Sequence, residues 1–209
     1  MAKLIIARHH ESEWNKKGLW TGSRDCHLTE YGFKKSSEMG LMIQGIHIDQ
    51  AFASMQVRSI ETLSCMLEAL DLCHVPTQHA AEINERDYGD YTGKNKWEME
   101  ELIGHERGEQ VRRARDRPVL HGETLKMVYA RVVPFYETHI LPFLKDGKNV
   151  LMVSHGNAIR ALMKYLEAIP DEKVKDIEML FGGILLYEID TEGTVVGKEV
   201  RHIESEVHA

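Results

Sequence analysis

Short apolar runs that end in polar residues alternate along this chain with stretches of helical spacing. Leu4-Ile5-Ile6-Ala7, rich in β-branched residues and too short for a helix, predicts a buried strand that stops at Arg8-His9-His10. Thr29 to Gly45 opens on a capping pair, Leu28-Thr29, and carries Phe33, Met39, Met42 and Ile43 at roughly helical spacing, so an amphipathic helix ending at Gly45 is expected. Asp49 to Ser54 gives a second short strand. Val57, Ile60, Leu63, Met66, Leu67 and Leu70 then mark a second helix with Arg58 in its first turn.

Pro76 breaks the pattern, and Thr77 to Glu85 is expected to be extended before a loop, Glu85 to Lys96, that mixes charged and aromatic residues with turn formers. Trp97 to Arg113 reads as a polar helix with Arg112, Arg113, Arg115 and Arg117 near its end, stopped by Pro118. The stretch around 85–122 therefore looks like a lid or insertion. Glu123 to Leu144 has a long apolar repeat interrupted by Pro134 and Pro142, which predicts a kinked helix. Lys148 to Ser154 is the clearest buried strand; it ends in His155-Gly156-Asn157, and Ala158 to Leu166 restarts a helix. A strand at Ile184 to Ile189, a hairpin partner at Thr194 to Val200 and a polar tail, Glu204 to Ala209, complete the chain.

Strands alternating with helices predict an α/β three-layer sandwich with a mainly parallel central sheet and helices on both faces. The 209 residues, 43% hydrophobic and 28% charged, suit one soluble domain, 1–209. A formal charge of -7 argues against nucleic acid or an anionic membrane as the main partner. Three cysteines without C-x-x-C spacing indicate neither a disulfide framework nor a cysteine zinc site, and no H-x-x-x-H or H-E-x-x-H pattern suggests a histidine one. With no signal-peptide core and no membrane-length span, a cytoplasmic location is expected.

Three strands end in Arg8-His9, in Ser54 with Arg58 close behind, and in Ser154-His155-Gly156. Parallel strands share one carboxyl edge, where ligands of open α/β sheets bind. Two imidazoles and two guanidiniums can thus meet in one pocket, with Glu85 and Tyr88 arriving from the middle loop. Arginine forks grip phosphate bidentately, and a neutral imidazole can attack phosphorus. Helix N-termini after His155 and before Arg58 offer N–H donors to the same anion. Phosphoryl transfer through a phosphohistidine needs no metal in such a setting, because fixed cations already neutralise the phosphoryl oxygens.

Arg8-His9-x-Glu11-Ser12-x-x-Asn15, Thr21-Gly22, Val57-Arg58-Ser59-Ile60-Glu61-Thr62, Asn84-Glu85-Arg86-x-Tyr88-Gly89, Thr92-Gly93-x-Asn95-Lys96, Arg112-Arg113 and Ser154-His155-Gly156-Asn157 follow one another in an order that resembles the cofactor-dependent phosphoglycerate mutases of the histidine phosphatase superfamily. The match runs from about Lys3 to about Asp190. The resemblance implies that His9 is the nucleophile, that His155 stabilises the phosphoryl group in transit and that Glu85 exchanges a proton with the substrate hydroxyl. Arg8, Ser12, Asn15, Arg58, Gly156 and Asn157 would seat the transferred phosphate; Thr21, Gly22, Tyr88, Lys96, Arg112 and Arg113 would hold the rest of a phosphoglycerate. It further implies priming by 2,3-bisphosphoglycerate, small-molecule phosphoglycerates as the partners, and assembly as a homodimer or homotetramer.

Two departures keep other readings open. His10 stands where the family usually has glycine, so a positive φ there would cost about 1 kcal/mol, and its side chain could crowd the phosphate. The segment between Arg113 and Glu123 is shorter than in many mutases of the family, which would admit water and favour a phosphatase acting on a small phosphoester. A non-catalytic phospholigand binder is the third reading, and His9 together with Glu85 speaks against it.

Overall fold

The computed structural model describes residues 1–104, 108, 119–179 and 181–203. Its centre is a six-stranded sheet of β1 (Ala2–Arg8), β2 (Gln50–Ser54), β3 (Thr77–Ala80), β4 (Val150–Ser154), β5 (Gly183–Ile189) and β6 (Val195–His202). Their order across the sheet is β3-β2-β4-β1-β5-β6. The first four pair in parallel, whereas β5 runs antiparallel to β1 and β6 antiparallel to β5. Register decides what the sheet edge presents. Arg8 lies opposite Ser154, Ala53 opposite Val153 and Ser54 opposite Ala80, so the ends of β1, β2 and β4 finish level with one another.

Period-two alternation in the inner strands serves two cores at once. Leu4, Ile6, Phe52, Val150, Met152 and Leu185 turn to one face, and Ile5, Ala7, Ala51, Ala53, Leu151 and Val153 to the other. On the first face lie α5 (Leu125–Phe135) and α7 (Gly156–Leu166); on the second lie α2 (Glu30–Leu41) and α3 (Val57–Ala69). Because these strands are covered on both sides, they read as continuous apolar runs rather than as alternating ones. Each fully buried aliphatic side chain contributes about 1.5–3 kcal/mol.

Side-chain caps open some of the helices. Thr29 Oγ1 accepts the Gly32 N–H at 3.0 Å and opens α2, which ends at Leu41, one turn short of the expected Gly45. Gly40 lets α2 approach α3 closely, since a Cβ there would lie 2.6 Å from the Met66 carbonyl oxygen. Ser12 and Asn15 form a reciprocal capping box at α1 (Glu13–Lys16).

Two sequence expectations change in detail. The Glu123–Leu144 region is not one helix with a kink but three helical segments in succession: α5, a π turn at Tyr136–Ile140 and α6 (Leu141–Lys145). Pro134 lacks the N–H that would continue the α pattern, and Thr138 Oγ1 donates to its carbonyl at 2.7 Å as the register shifts. The polar helix expected over Trp97–Arg113 is α4 (Lys96–Ile103), stopped by Gly104 at φ 84°. Most of the segment beyond it, with Arg112, Arg113, Arg115 and Arg117, lies outside the described residues, as does the tail from Glu204. Near its base the 85–122 excursion is tied by Glu123 N–H to Asp87 O at 2.9 Å and Asp90 N–H to Leu120 O at 3.1 Å. No helix among the described residues is long and apolar enough to cross a membrane.

Candidate active site

One cleft opens at the carboxyl edge of the parallel strands, walled by Arg8 and His9 from the end of β1, Arg58 from α3, and Gly156 and Asn157 from the start of α7. His9 leaves the strand with its N–H on the Ser154 carbonyl at 3.0 Å, and the residue is 3% exposed. Its Nδ1 lies 2.7 Å from the His10 carbonyl oxygen. A carbonyl only accepts, so Nδ1 carries the proton and Nε2 keeps its lone pair. Burial, then Arg58 and Arg8, hold the His9 pKa well below the usual imidazole range. The ring is therefore neutral at neutral pH, the state a nucleophile requires.

His155 stands behind it, with ring centroids 4.8 Å apart. Its Nε2 shares a hydrogen bond of 2.7 Å with Ser54 Oγ, while Nδ1 is buried with no hydrogen-bond partner among the described residues. Burial and then Arg58 depress its pKa as well. Arg58 is 1% exposed and donates to the carbonyls of Arg24 at 2.9 Å and Gly22 at 3.0 Å, so this buried cation also shapes the loop facing it. Gly22 sits at φ 53°, and a Cβ there would come within 3.1 Å of the Tyr88 nitrogen. The Arg8 guanidinium carbon lies over the Phe181 ring, 3.7 Å from its centroid, and burial lowers the Arg8 pKa to about 10, which leaves it charged.

Glu85 faces these cations from the middle loop. Its Oε1 accepts the Arg86 N–H at 2.7 Å and the Asn157 N–H at 3.3 Å. Asn157 in turn donates from its side chain to the Tyr88 hydroxyl at 2.7 Å, and Tyr88 packs on Trp20 with centroids 4.5 Å apart. A carboxylate, a neutral imidazole with a free lone pair and the cations Arg8, Arg58, Lys96 and Arg160 thus share one cleft. The arrangement suits transfer of a phosphoryl group to nitrogen with proton exchange at an adjoining oxygen.

Residues 4–200 match the family model of the histidine phosphatase superfamily (branch 1). The chain belongs to that superfamily. It is 41% identical, over 98% of both chains, to a 2,3-bisphosphoglycerate-dependent phosphoglycerate mutase of Parvibaculum lavamentivorans. It is 39% identical to the enzyme of the same name from Streptococcus pneumoniae, over 95% of this chain and 98% of that one. Among solved structures, a mycobacterial glucosyl-3-phosphoglycerate phosphatase complexed with VO3 superimposes with a TM-score of 0.83 at 17% identity, covering 99% of this chain and 100% of that one. The phosphoglycerate mutase of Bacillus anthracis gives 0.73 at 20% identity, over 97% and 92%. Both likenesses concern the fold.

Eleven of the residues singled out from sequence line the cleft: Arg8, His9, Asn15, Thr21, Gly22, Arg58, Glu85, Tyr88, Lys96, Gly156 and Asn157. His155 supports them from behind. Ser12 is not in the wall; its hydroxyl donates to Asn15 Oδ1 at 2.7 Å and so orients the Asn15 amide. Lys96 is delivered by the start of α4, where its N–H donates to the Gly18 carbonyl at 2.9 Å. Arg112 and Arg113 lie outside the described residues.

His10 departs from its sequence expectation. It is not among the residues with positive φ, so the backbone carries no strain there. Its side chain does not line the cleft. It is turned away and fully buried, accepting the Glu11 N–H on Nδ1 at 2.8 Å and packing edge-on to Tyr31 with centroids 5.5 Å apart.

Sequence reasoning missed Arg160, Glu178 and Met179, which also line the cleft, and Phe181 beneath Arg8. Arg160 was within reach: it follows Asn157 by three positions on α7, hence on the same helix face, and its Nη1 donates to Asn157 Oδ1 at 2.8 Å. The residues before β5 carried no such signal.

Proposed function

We propose that this protein is a 2,3-bisphosphoglycerate-dependent phosphoglycerate mutase that interconverts 3-phosphoglycerate and 2-phosphoglycerate through a phosphoryl group carried on His9. Relatives of that name match at about 40% identity over nearly the whole chain. The observation that carries the reading is the His9 tautomer: with Nδ1–H committed to a carbonyl, Nε2 is available among buried arginines.

The residues present fit a ligand with several anionic groups. Arg8, Arg58, Lys96 and Arg160 all reach the cleft, and Arg8 Nε, Thr21 Oγ1 and His155 Nδ1 are buried polar atoms without a hydrogen-bond partner among the described residues. When bound, 2,3-bisphosphoglycerate supplies the phosphoryl group that primes the enzyme. His9 Nε2 attacks phosphorus as the ester P–O bond breaks, and Glu85 delivers a proton to the departing oxygen. In return Glu85 takes a proton from the attacking hydroxyl. Arg8 and Arg58 offset the charge on the phosphoryl oxygens, and the α7 N-terminus adds main-chain donors. Ser54, by donating to His155 Nε2, leaves the Nδ1–H of His155 as a further donor for the group in transit. Placed acids and bases of this kind contribute about 10²- to 10⁴-fold each.

The short segment before Glu123 does not weigh against the mutase. The Parvibaculum relative aligns over 98% of both chains, so a chain of nearly this length already bears the mutase name. Residues 1–209 are taken as one catalytic domain with a lid or insertion around 85–122, of which Glu85, Tyr88 and Lys96 contribute to the cleft wall. A small glycolytic substrate, a cytoplasmic location and assembly as a homodimer or homotetramer belong to the same proposal.

The test is isomer exchange by the purified protein. 3-Phosphoglycerate should convert to 2-phosphoglycerate after priming with 2,3-bisphosphoglycerate and not without it, and His9→Ala should abolish the reaction. Release of inorganic phosphate without isomer exchange would instead identify a phosphatase, and no turnover at all a binding protein.

A further inference from the structure

Three carbonyls of the loop that ends in Glu85 are held by one side chain. Arg131, in the middle of α5, donates from Nη1 to Glu82 O at 2.6 Å and Asn84 O at 2.9 Å, and from Nη2 to Glu85 O at 3.2 Å. Its Nε and Nη2 also reach the two carboxylate oxygens of Glu123, each at 2.9 Å. Glu123 carries the hold past Glu85 on the other side. Its Oε2 accepts the Asp87 N–H at 3.0 Å, and its carbonyl accepts the Arg86 Nε–H at 2.6 Å. Burial works to raise the Glu123 pKa, but the Arg131 and Asp87 hydrogen bonds outweigh it and the carboxylate stays ionised. Neither Arg131 nor Glu123 lines the cleft.

We propose that Arg131 and Glu123 form a clamp that positions the Glu85 carboxylate, so that proton exchange at the substrate oxygen depends on a pair that touches neither the substrate nor His9. The proposal rests on the reading of Glu85 as the proton carrier. The Glu85 N–H donates to Gln56 Oε1 at 2.8 Å, so the clamp acts on the carbonyl side of Glu85 and on the residues flanking it, between 3₁₀ residues Ala81–Ile83 and a turn at Gly89. A rigid fork with five donors can span a bidentate carboxylate and three carbonyls; a lysine, with one ammonium and three donors, cannot. Displacement of a reacting group by about 1 Å costs on the order of 10²-fold. The clamp is therefore expected to act on turnover and to leave ground-state binding largely alone.

A double-mutant cycle on the full-length protein separates positioning from general support. Arg131→Lys should lower kcat of the primed mutase reaction by about 10- to 100-fold with KM changed less than about threefold. In a Glu85→Gln background the same change should lower kcat by less than about threefold, because the group it positions no longer exchanges a proton. Equal losses in both backgrounds, or no loss in the first, would overturn the proposal. If Glu85→Gln alone keeps full kcat, the role of Glu85 itself fails, which is a separate result. Should Arg131→Lys not yield folded protein by its thermal transition, Glu123→Gln removes the other half of the clamp at nearly constant volume, and the same cycle decides.

Discussion

The Nδ1–H of His9 donates to the main-chain carbonyl of His10 at 2.7 Å. The acceptor is backbone, so the bond that sets the His9 tautomer does not depend on which side chain follows. That explains how an imidazole can replace the glycine usual in the family without entering the cleft: the chain supplies the carbonyl and turns the ring the other way, against Tyr31 and Glu11. His10 is thereby a packing residue with one strained feature, a buried Nε2 that has no hydrogen-bond partner among the described residues.

His10→Gly is therefore expected to cost stability and spare catalysis. Removing a fully buried ring leaves a cavity and adds glycine's backbone entropy, together about 1–3 kcal/mol. The His9 bond survives, so kcat should stay within about threefold. Urea unfolding and the primed mutase assay read the two effects separately.

Ser54→Ala should cost both stability and catalysis. Ser54 Oγ pairs with His155 Nε2 at 2.7 Å and accepts the Gln56 N–H at 3.2 Å, so the alanine variant strands a buried imidazole and a main-chain donor. The stability cost should be about 1–3 kcal/mol. Because His155 loses the partner that fixes its ring beside His9, kcat should also fall by about 10- to 100-fold; the fall should appear in the rate of His9 phosphorylation measured by rapid quench. Unchanged phosphorylation would remove Ser54 from the mechanism.

Acid should destabilise the protein through its buried histidines. His9 and His155 have pKa values held well below the ordinary one by burial and then Arg58, and burial and then Lys35 lower His10 to about 4. The unfolded chain protonates these rings near pH 6.5, and the folded one does so only at lower pH. Between those points the unfolded state binds more protons, so this stability is complete above about pH 6.5 and is lost as pH falls toward the folded values. Each ring adds a slope of up to about 1.4 kcal/mol per pH unit in that window. Unfolding free energies measured from pH 8 to pH 5 should decline accordingly. Activity should show no acid limb near 6.5 arising from His9, since its ring is already neutral there.

Much of the site was legible because parallel strands end together. Arg8-His9, Ser54 and Ser154-His155 each follow a short apolar run, and the level register of β1, β2 and β4 makes neighbours of strand ends that are far apart in the chain. The gaps have equally specific causes. Glu178, Met179 and Phe181 precede a strand instead of following one. They reach the same edge because β5 runs antiparallel to β1, so its beginning lies where the others finish. Sequence spacing gives strand existence but not strand direction. Arg131 was hidden for another reason: it sits in an amphipathic helix where a polar position reads as solvent-facing, and its partners are carbonyls, which leave no trace in side-chain pattern.

The sequence by itself therefore determined the two-sided sheet, the helices that cover it and the chemistry waiting at its edge, because apolar periodicity and short motifs are local properties of the chain. Only the tertiary structure decided which way the His10 ring points, which proton His9 keeps and what holds Glu85 in place. Those are settled by hydrogen bonds between segments remote in the chain, or by backbone dihedrals that no side-chain pattern encodes.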